Sequence, residues 1–112
     1  MKKLQEIDFT SLEQFVSNKV GFPIKFDVSI GTRRNGIPYI NLISQELKNV
    51  AGIMAVTYET LRIETFNSSF TPDKSKYWLT LSFMWKYKDG GANGTEIARA
   101  IYDFETKTWD MQ

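Results

Sequence analysis

The chain has 112 residues, of which 42% are hydrophobic and 14% aromatic, and its 14 basic and 13 acidic residues leave a formal net charge of +1. This length predicts a single domain spanning residues 1–112, and this aromatic content excludes an intrinsically disordered chain. A dedicated duplex-DNA binder usually shows a basic excess, because it must neutralise phosphates. The near balance of charges therefore argues against nucleic acid as the partner.

The sequence contains no Cys and no His. Without Cys there is no disulfide and no thiolate nucleophile, and without His the commonest general base and transition-metal ligand are missing. We therefore expect no enzyme, no metal site and no cofactor. A Cys-free chain fits a reducing compartment, and neither a signal peptide nor a transmembrane stretch is visible. The protein is expected to be cytoplasmic and not to bind membranes.

One amphipathic helix is predicted near the N-terminus. Thr10 and Glu13 match the capping box, in which a hydroxyl and a carboxylate three residues later each meet a free backbone N–H. Gly21 is the residue type that commonly ends a helix. An apolar stripe at helical spacing lies between them, at Leu12, Phe15 and Val16.

A β-hairpin is predicted to follow the helix. Apolar and polar residues alternate from Phe22 to Ile30, which indicates a strand. Asn35 and Gly36 tolerate the positive φ that a tight turn requires, so a returning strand is expected from about Ile37. Residues 45–50 fit either a helical turn or a loop.

The β pattern resumes at about residue 53. Up to Tyr58 the apolar residues occupy even-numbered positions, and from Leu61 they occupy odd-numbered positions. This switch predicts a bulge or bend between Tyr58 and Leu61. Residues 67–73 are rich in turn formers and are expected to be a connection.

The clearest β pattern covers residues 77–87. Every second residue is apolar or aromatic, which predicts one face on the core, formed by Tyr77, Leu79, Leu81, Phe83, Trp85 and Tyr87. The glycine-rich residues 88–94 are expected to form a hairpin loop. Two further strands are predicted at 95–104 and 109–111.

This order of elements predicts an α+β fold with one N-terminal helix packed on a curved, five- to six-stranded antiparallel sheet. No long crossover separates the strands, so they are expected to form a meander. The layout resembles that of cystatin-like and NTF2-like folds, and a likeness of layout alone implies no function.

The face of the 77–87 strand opposite the core face carries Trp78, Met84 and Lys86. One short helix cannot cover both faces of a sheet, and exposed aromatic and Met side chains are enriched at binding hot spots. Arg33 and Arg34, at a hairpin tip, are able to grip carboxylates or phosphates. These five residues are the predicted partner-binding site.

The first hypothesis is a non-enzymatic module that docks on another protein, or on a second copy of itself as a homodimer. Small chains without His or Cys are common among inhibitor and accessory proteins of phages and mobile elements, anti-CRISPR proteins among them. One alternative is a pocket between helix and sheet that binds a small apolar ligand, lined by Phe26, Phe83, Trp85 and Tyr102. Another is weak binding of single-stranded nucleic acid through lysines and Trp78.

Overall fold

The computed structural model describes residues 3–47 and 58–112. A short 3-10 helix at Lys3–Glu6 precedes the helix α1, Thr10–Val20. Six strands follow, namely β1 Phe26–Thr32, β2 Pro38–Ser44, β3 Tyr58–Phe70, β4 Lys76–Tyr87, β5 Ala92–Asp103 and β6 Thr108–Met111. They form one antiparallel sheet in the order β1-β2-β3-β4-β5-β6. The predicted α+β fold, with one helix packed on an antiparallel meander, is confirmed.

The hydrophobic core lies between α1 and one face of the sheet. Leu12 and Val16 are the buried residues of α1, and both belong to the core cluster. The molecule measures 45 × 32 × 18 Å, and 18 Å is the thickness of about two packed layers of secondary structure. The 11 residues of α1 span roughly 16 Å, so this helix alone covers only part of one face.

The predicted capping box at the start of α1 does not form. Phe9 occupies the N-cap position without a side-chain cap, and Asp8 Oδ1 accepts hydrogen bonds from Thr10 N at 2.9 Å and Thr10 Oγ1 at 2.7 Å. Glu13 Oε2 accepts instead from the backbone N–H of Phe26 at 2.8 Å. The Glu13 carboxylate thus joins the helix to β1, a contact that local sequence spacing cannot predict.

Gly21 ends α1 as predicted. Its φ is 88°, and its N–H donates to the carbonyl oxygen of Ser17 at 2.9 Å. The first strand begins at Phe26, four residues later than predicted at Phe22, because the intervening chain bonds to other partners. The N–H of Ile24, for example, donates to Ser17 Oγ at 2.8 Å. The turn at Gly36 forms as expected, with φ 84°.

The predicted bulge near the start of β3 is confirmed by a register shift between Tyr58 and Thr60. The prediction that residues 67–73 form a connection is correct only for residues 71–73, which lie between β3 and β4. The strand β3 continues to Phe70, which pairs with Tyr77 of β4. Cross-strand pairing and burial of Phe70 override the local turn preference. Residues 48–50, the second half of the ambiguous segment, and the predicted strand start at 53 lie outside the described residues.

The face of β4 predicted to lie on the core is confirmed in its first half. Tyr77, Leu79 and Leu81 are almost fully buried, whereas Phe83 and Trp85 are partly buried against the core. The strand β5 already begins at Ala92, so the predicted loop 88–94 is shorter, because its last residues pair with β4.

Candidate functional site

The face of the sheet opposite α1 is the candidate functional site. No described residue forms a second layer over its centre. We call this surface the open face, and its central residues are Phe66, Asn67, Trp78, Thr80, Met84, Glu96, Arg99 and Ile101.

Alternation along β4 brings three of the predicted site residues, Trp78, Met84 and Lys86, to the open face. Trp78 lies between the buried Tyr77 and Leu79 and is 37% exposed. Met84 pairs with Gly94 of β5. A Cβ atom on Gly94 would lie 2.5 Å from the Met84 Sδ, so the glycine leaves room for the Met84 thioether to lie against β5.

Phe66 lies on the same face, at a second bulge in β3. The register with β4 shifts between Thr65 and Ser68, and such a bulge re-aims the side chains beside it. The N–H of Asn67, within the bulge, donates to Thr80 Oγ1 at 3.1 Å. Phe66 is 64% exposed, the highest value among the exposed large apolar side chains of the described residues.

Sequence reasoning missed Phe66, although the chain carries a signal for it. Leu61 and Ile63 are buried and set the core parity of this part of β3. Phe66 falls on the opposite parity. A large apolar residue that breaks the alternation of a strand indicates either a bulge or a second exposed apolar face.

Shallow depressions surround these side chains. One of about 460 Å³ is lined by Trp78, Arg99 and Asp110, among others. Another, of about 450 Å³, lies between Phe66 and Met84. A third, of about 480 Å³, is lined by both Phe66 and Trp78. The depressions share lining residues, so they belong to one continuous surface.

Arg33 has a structural partner, unlike the free guanidinium expected at the hairpin tip. Its Nη2 donates to the carbonyl oxygen of Ser68 at 2.8 Å, beside the second bulge of β3. Its guanidinium carbon lies 4.8 Å from the ring centroid of Tyr39, a cation–π distance. Arg33 therefore joins the β1–β2 hairpin to β3 at the rim of the open face, whereas Arg34 is exposed at the tip.

The charges of the open face are of both signs. Arg99 Nε lies 2.9 Å from Glu96 Oε2. Lys86 Nζ lies 3.8 Å from Glu59 Oε2, with about half of each side chain exposed. Exposed pairs of this kind contribute about 0–1 kcal/mol to stability. Because acids accompany the cations, the surface lacks the basic character that nucleic-acid backbones require.

The structure does not bring together the four residues predicted to line an apolar pocket. Phe83 and Trp85 lie towards one end of β4, whereas Tyr102 pairs with Tyr77 near the other end. Six residues separate Tyr77 from Phe83, a distance of roughly 20 Å along a strand. Phe26 is buried at the start of β1. The described strands therefore place Tyr102 well away from Phe83 and Trp85.

Tyr102 borders a cavity of about 520 Å³ that is not the predicted one. Its other lining residues are Phe104 and four polar residues, namely Glu6, Ser75, Glu105 and Lys107, so its lining is mixed. Burial raises the pKa of Tyr102, and the nearby acids, Asp8 first among them, act in the same direction. A phenol of ordinary pKa, about 10, is already protonated at neutral pH, and the raised pKa extends this to more alkaline pH. Tyr102 is therefore a neutral, buried packing residue.

Within residues 3–47 and 58–112, no group of three or more carboxylates is placed to hold a metal ion. None of the helices in the same ranges has the length and apolar composition needed to cross a membrane. Comparison with protein-family models, curated proteins and solved structures finds no match for this chain. The fold and the site therefore define only a class, an α+β protein with one helical layer and one open antiparallel sheet face.

Proposed function

We propose that this protein is a non-enzymatic binding module that docks on another protein through the open face. One observation carries the proposal. Phe66 and Trp78, 64% and 37% exposed, line the same depression on a sheet face that no described element covers. Large aromatic side chains on one exposed face are the usual anchors of a protein interface.

The shape of the open face supports a protein partner. Small ligands are usually enclosed by concave pockets that bury most of their surface, whereas these depressions are shallow and adjacent. An apolar centre at Phe66, Trp78 and Met84 is bordered by charged residues such as Arg99 and Lys86. A protein interface commonly has this arrangement of an apolar core and a polar rim.

Docking of this kind needs no catalytic group. The protein would act by occupying a partner's surface, as a small inhibitor or accessory protein does. Fully burying an aromatic side chain that starts fully exposed contributes about 1.5–3 kcal/mol, and Phe66 and Trp78 contribute in proportion to the surface they still expose, 64% and 37%. Two such anchors at the centre of an interface are enough to determine whether a complex forms.

The experiment compares Phe66→Ala and Trp78→Ala with the wild type in affinity capture from the native host, followed by binding measurements on the purified partner. Each substitution is expected to weaken binding by about tenfold or more. Gln14→Ala is the control, because Gln14 is exposed on α1, on the opposite side of the sheet and away from the β1 edge. It is expected to bind as the wild type does.

Thermal unfolding of the same variants separates loss of contact from loss of fold. Phe66→Ala is expected to keep the wild-type melting temperature, because its side chain is mainly exposed. The proposal fails if no captured protein depends on Phe66 or Trp78. It fails equally if binding decreases only in variants that are unfolded.

A further inference from the structure

The edges of the sheet are protected unequally. The edge strand β6 has only 4 residues. The part of β5 that extends beyond it contains Gly94 and a register irregularity near Ile97. The other edge strand, β1, has 7 residues and pairs with β2 in unbroken register. Natural edge strands usually avoid pairing with other chains by means of Pro, Lys or a bulge, and β1 has none of these.

The pairing of β1 with β2 determines which backbone groups face outward. Thr32 pairs with Pro38, which has no N–H, so this is a non-hydrogen-bonded pair. Because antiparallel pairs alternate, Phe26, Val28 and Ile30 also direct their N–H and C=O groups away from β2. Glu13 accepts the N–H of Phe26. The N–H groups of Val28 and Ile30 therefore lie on the edge of β1 that pairs with no described strand, which we call the free edge.

The side chains beside these groups are apolar and exposed. Val28 is 46% exposed and Ile30 is 39% exposed, although they pair with the buried Leu42 and Ile40 on the core face of β2. Both residues are β-branched, a type that favours strands and packs well against a neighbouring strand. The free edge thus offers hydrogen-bonding groups and apolar surface along one strip.

We propose that β1 pairs with β1 of a second copy of this chain, antiparallel and about a two-fold axis at Ser29. The outward-facing residues must then oppose one another, which places Val28 opposite Ile30 of the second copy and Ile30 opposite its Val28. Each such pair exchanges two backbone hydrogen bonds. The two six-stranded sheets become one, and both α1 helices lie on the same side of it.

Self-complementarity indicates a second copy as the occupant. A two-fold interface must match a surface to itself. This register sets two β-branched apolar residues, Val28 and Ile30, opposite each other on both sides of the axis, and Thr32 falls opposite Phe26 at the ends of the strip. Asp27 is the one charged residue of β1. It falls opposite Gly31 of the second copy, so the two carboxylates do not face each other. A short strip buries less than the roughly 1,200 Å² of a stable interface, so the dimer is expected to be concentration-dependent.

Disulfide trapping tests the register, because the chain has no Cys of its own. Ser29 and Asp27 are both exposed. The two Ser29 Cα atoms would lie about 4.5 Å apart, within reach of a disulfide, whereas the two Asp27 Cα atoms would lie about 14 Å apart. Mild oxidation is expected to link Ser29→Cys into a covalent dimer and to leave Asp27→Cys largely monomeric. Equal cross-linking of both variants, or of neither, would overturn the proposal.

Analytical sedimentation and amide hydrogen exchange test the dimer without an engineered disulfide. The wild type is expected to shift from monomer to dimer as its concentration rises, while Val28→Lys stays monomeric. The amides of Val28 and Ile30 are expected to gain protection from exchange at high concentration. A wild type that remains monomeric, or amides whose exchange is independent of concentration, would contradict the inference.

Two variants distinguish a failure of the β1 dimer from a failure of the proposed partner binding. Phe66→Ala is expected to dimerise as the wild type does, because the open face does not take part in the β1 edge. Conversely, Val28→Lys is expected to bind the captured partner as a monomer. A Phe66→Ala variant that loses dimerisation would place the self-contact on the open face and refute the β1 pairing.

Discussion

Tyr77 holds three strands together through a single hydroxyl group. Its side chain is fully buried. The hydroxyl accepts a hydrogen bond from the N–H of Ile40 on β2 at 2.9 Å and donates one to Ser68 Oγ on β3 at 2.7 Å. These bonds satisfy polar groups next to the second bulge of β3, which would otherwise be buried without partners.

Tyr77→Phe is expected to lower the free energy of unfolding by about 1–3 kcal/mol, because it leaves the buried N–H of Ile40 unpaired. Tyr39→Phe is the matched control, since that hydroxyl makes no hydrogen bond with any described residue, and it is expected to change stability by less than about 0.5 kcal/mol. Urea denaturation measures both. Equal losses in the two variants would show that the hydroxyl of Tyr77 has no special role.

The residues of the site were only partly predictable. Alternation along β4 was enough to place Trp78 and Met84 on the face away from the core. The role of Arg33 could not be predicted, because its partner is a carbonyl at a bulge 35 residues further along the chain. Sequence patterns report which side of a strand a residue faces, but not which distant backbone groups need a donor.

The sequence was enough to predict the existence of the helix and the strands. It was not enough to predict where several of these elements end. Gly21 ends α1 through its own backbone freedom, a local cause visible in sequence. The end of β3 at Phe70 depends on pairing with β4, which overrides the turn-forming residues before it. Local preferences therefore identified the elements, and tertiary contacts determined their boundaries.

The hydrogen bond between Glu13 of α1 and the N–H of Phe26 in β1 can be tested by substitution. Glu13→Ala is expected to lower the free energy of unfolding by about 1–3 kcal/mol, because the partly buried N–H of Phe26 loses its charged acceptor. Thr10→Ala is expected to cost less, since the Thr10 hydroxyl makes only an exposed bond to Asp8. Chemical denaturation of both variants checks the order. A larger loss for Thr10→Ala would instead favour the capping box.

The β3–β4 turn depends on the ionised form of Asp73. Hydrogen bonds from the Ser75 N–H, the Ser75 hydroxyl and the Thr71 hydroxyl lower the pKa of Asp73 from 3.8 to about 2. A lowered folded-state pKa adds stability that is present above the unfolded value and is lost as pH falls towards the folded value.

Asp73→Ala is therefore expected to melt at a lower temperature than the wild type at pH 7. The difference is expected to shrink as pH falls from about 4 to about 2, because the wild type loses the contribution of the carboxylate in that range. Melting curves at several pH values provide the measurement. A difference that stays constant down to pH 2 would contradict the role assigned to the Asp73 charge.

On the scale of the molecule, the described residues form two layers that differ in extent. One face of the sheet is covered by α1 and the chain around it, and the other carries exposed aromatic residues. Pairing through β1 would place the open faces of both copies on the same side of a continuous sheet. Once one open face of the dimer has bound, the second open face is held close to the partner at a high effective concentration. The dimer would therefore bind a repetitive or dimeric partner more tightly than the monomer.

The three tryptophans of the chain divide between the two sides of the sheet. Trp85 and Trp109 pack against the core, and their indole N–H groups bond to the Tyr87 hydroxyl and the Asp8 carbonyl, at 3.1 and 3.0 Å. Trp78 alone lies on the open face. In a variant whose only indole is Trp78, fluorescence would come from the proposed binding surface, and a blue shift would report its removal from water without any added label.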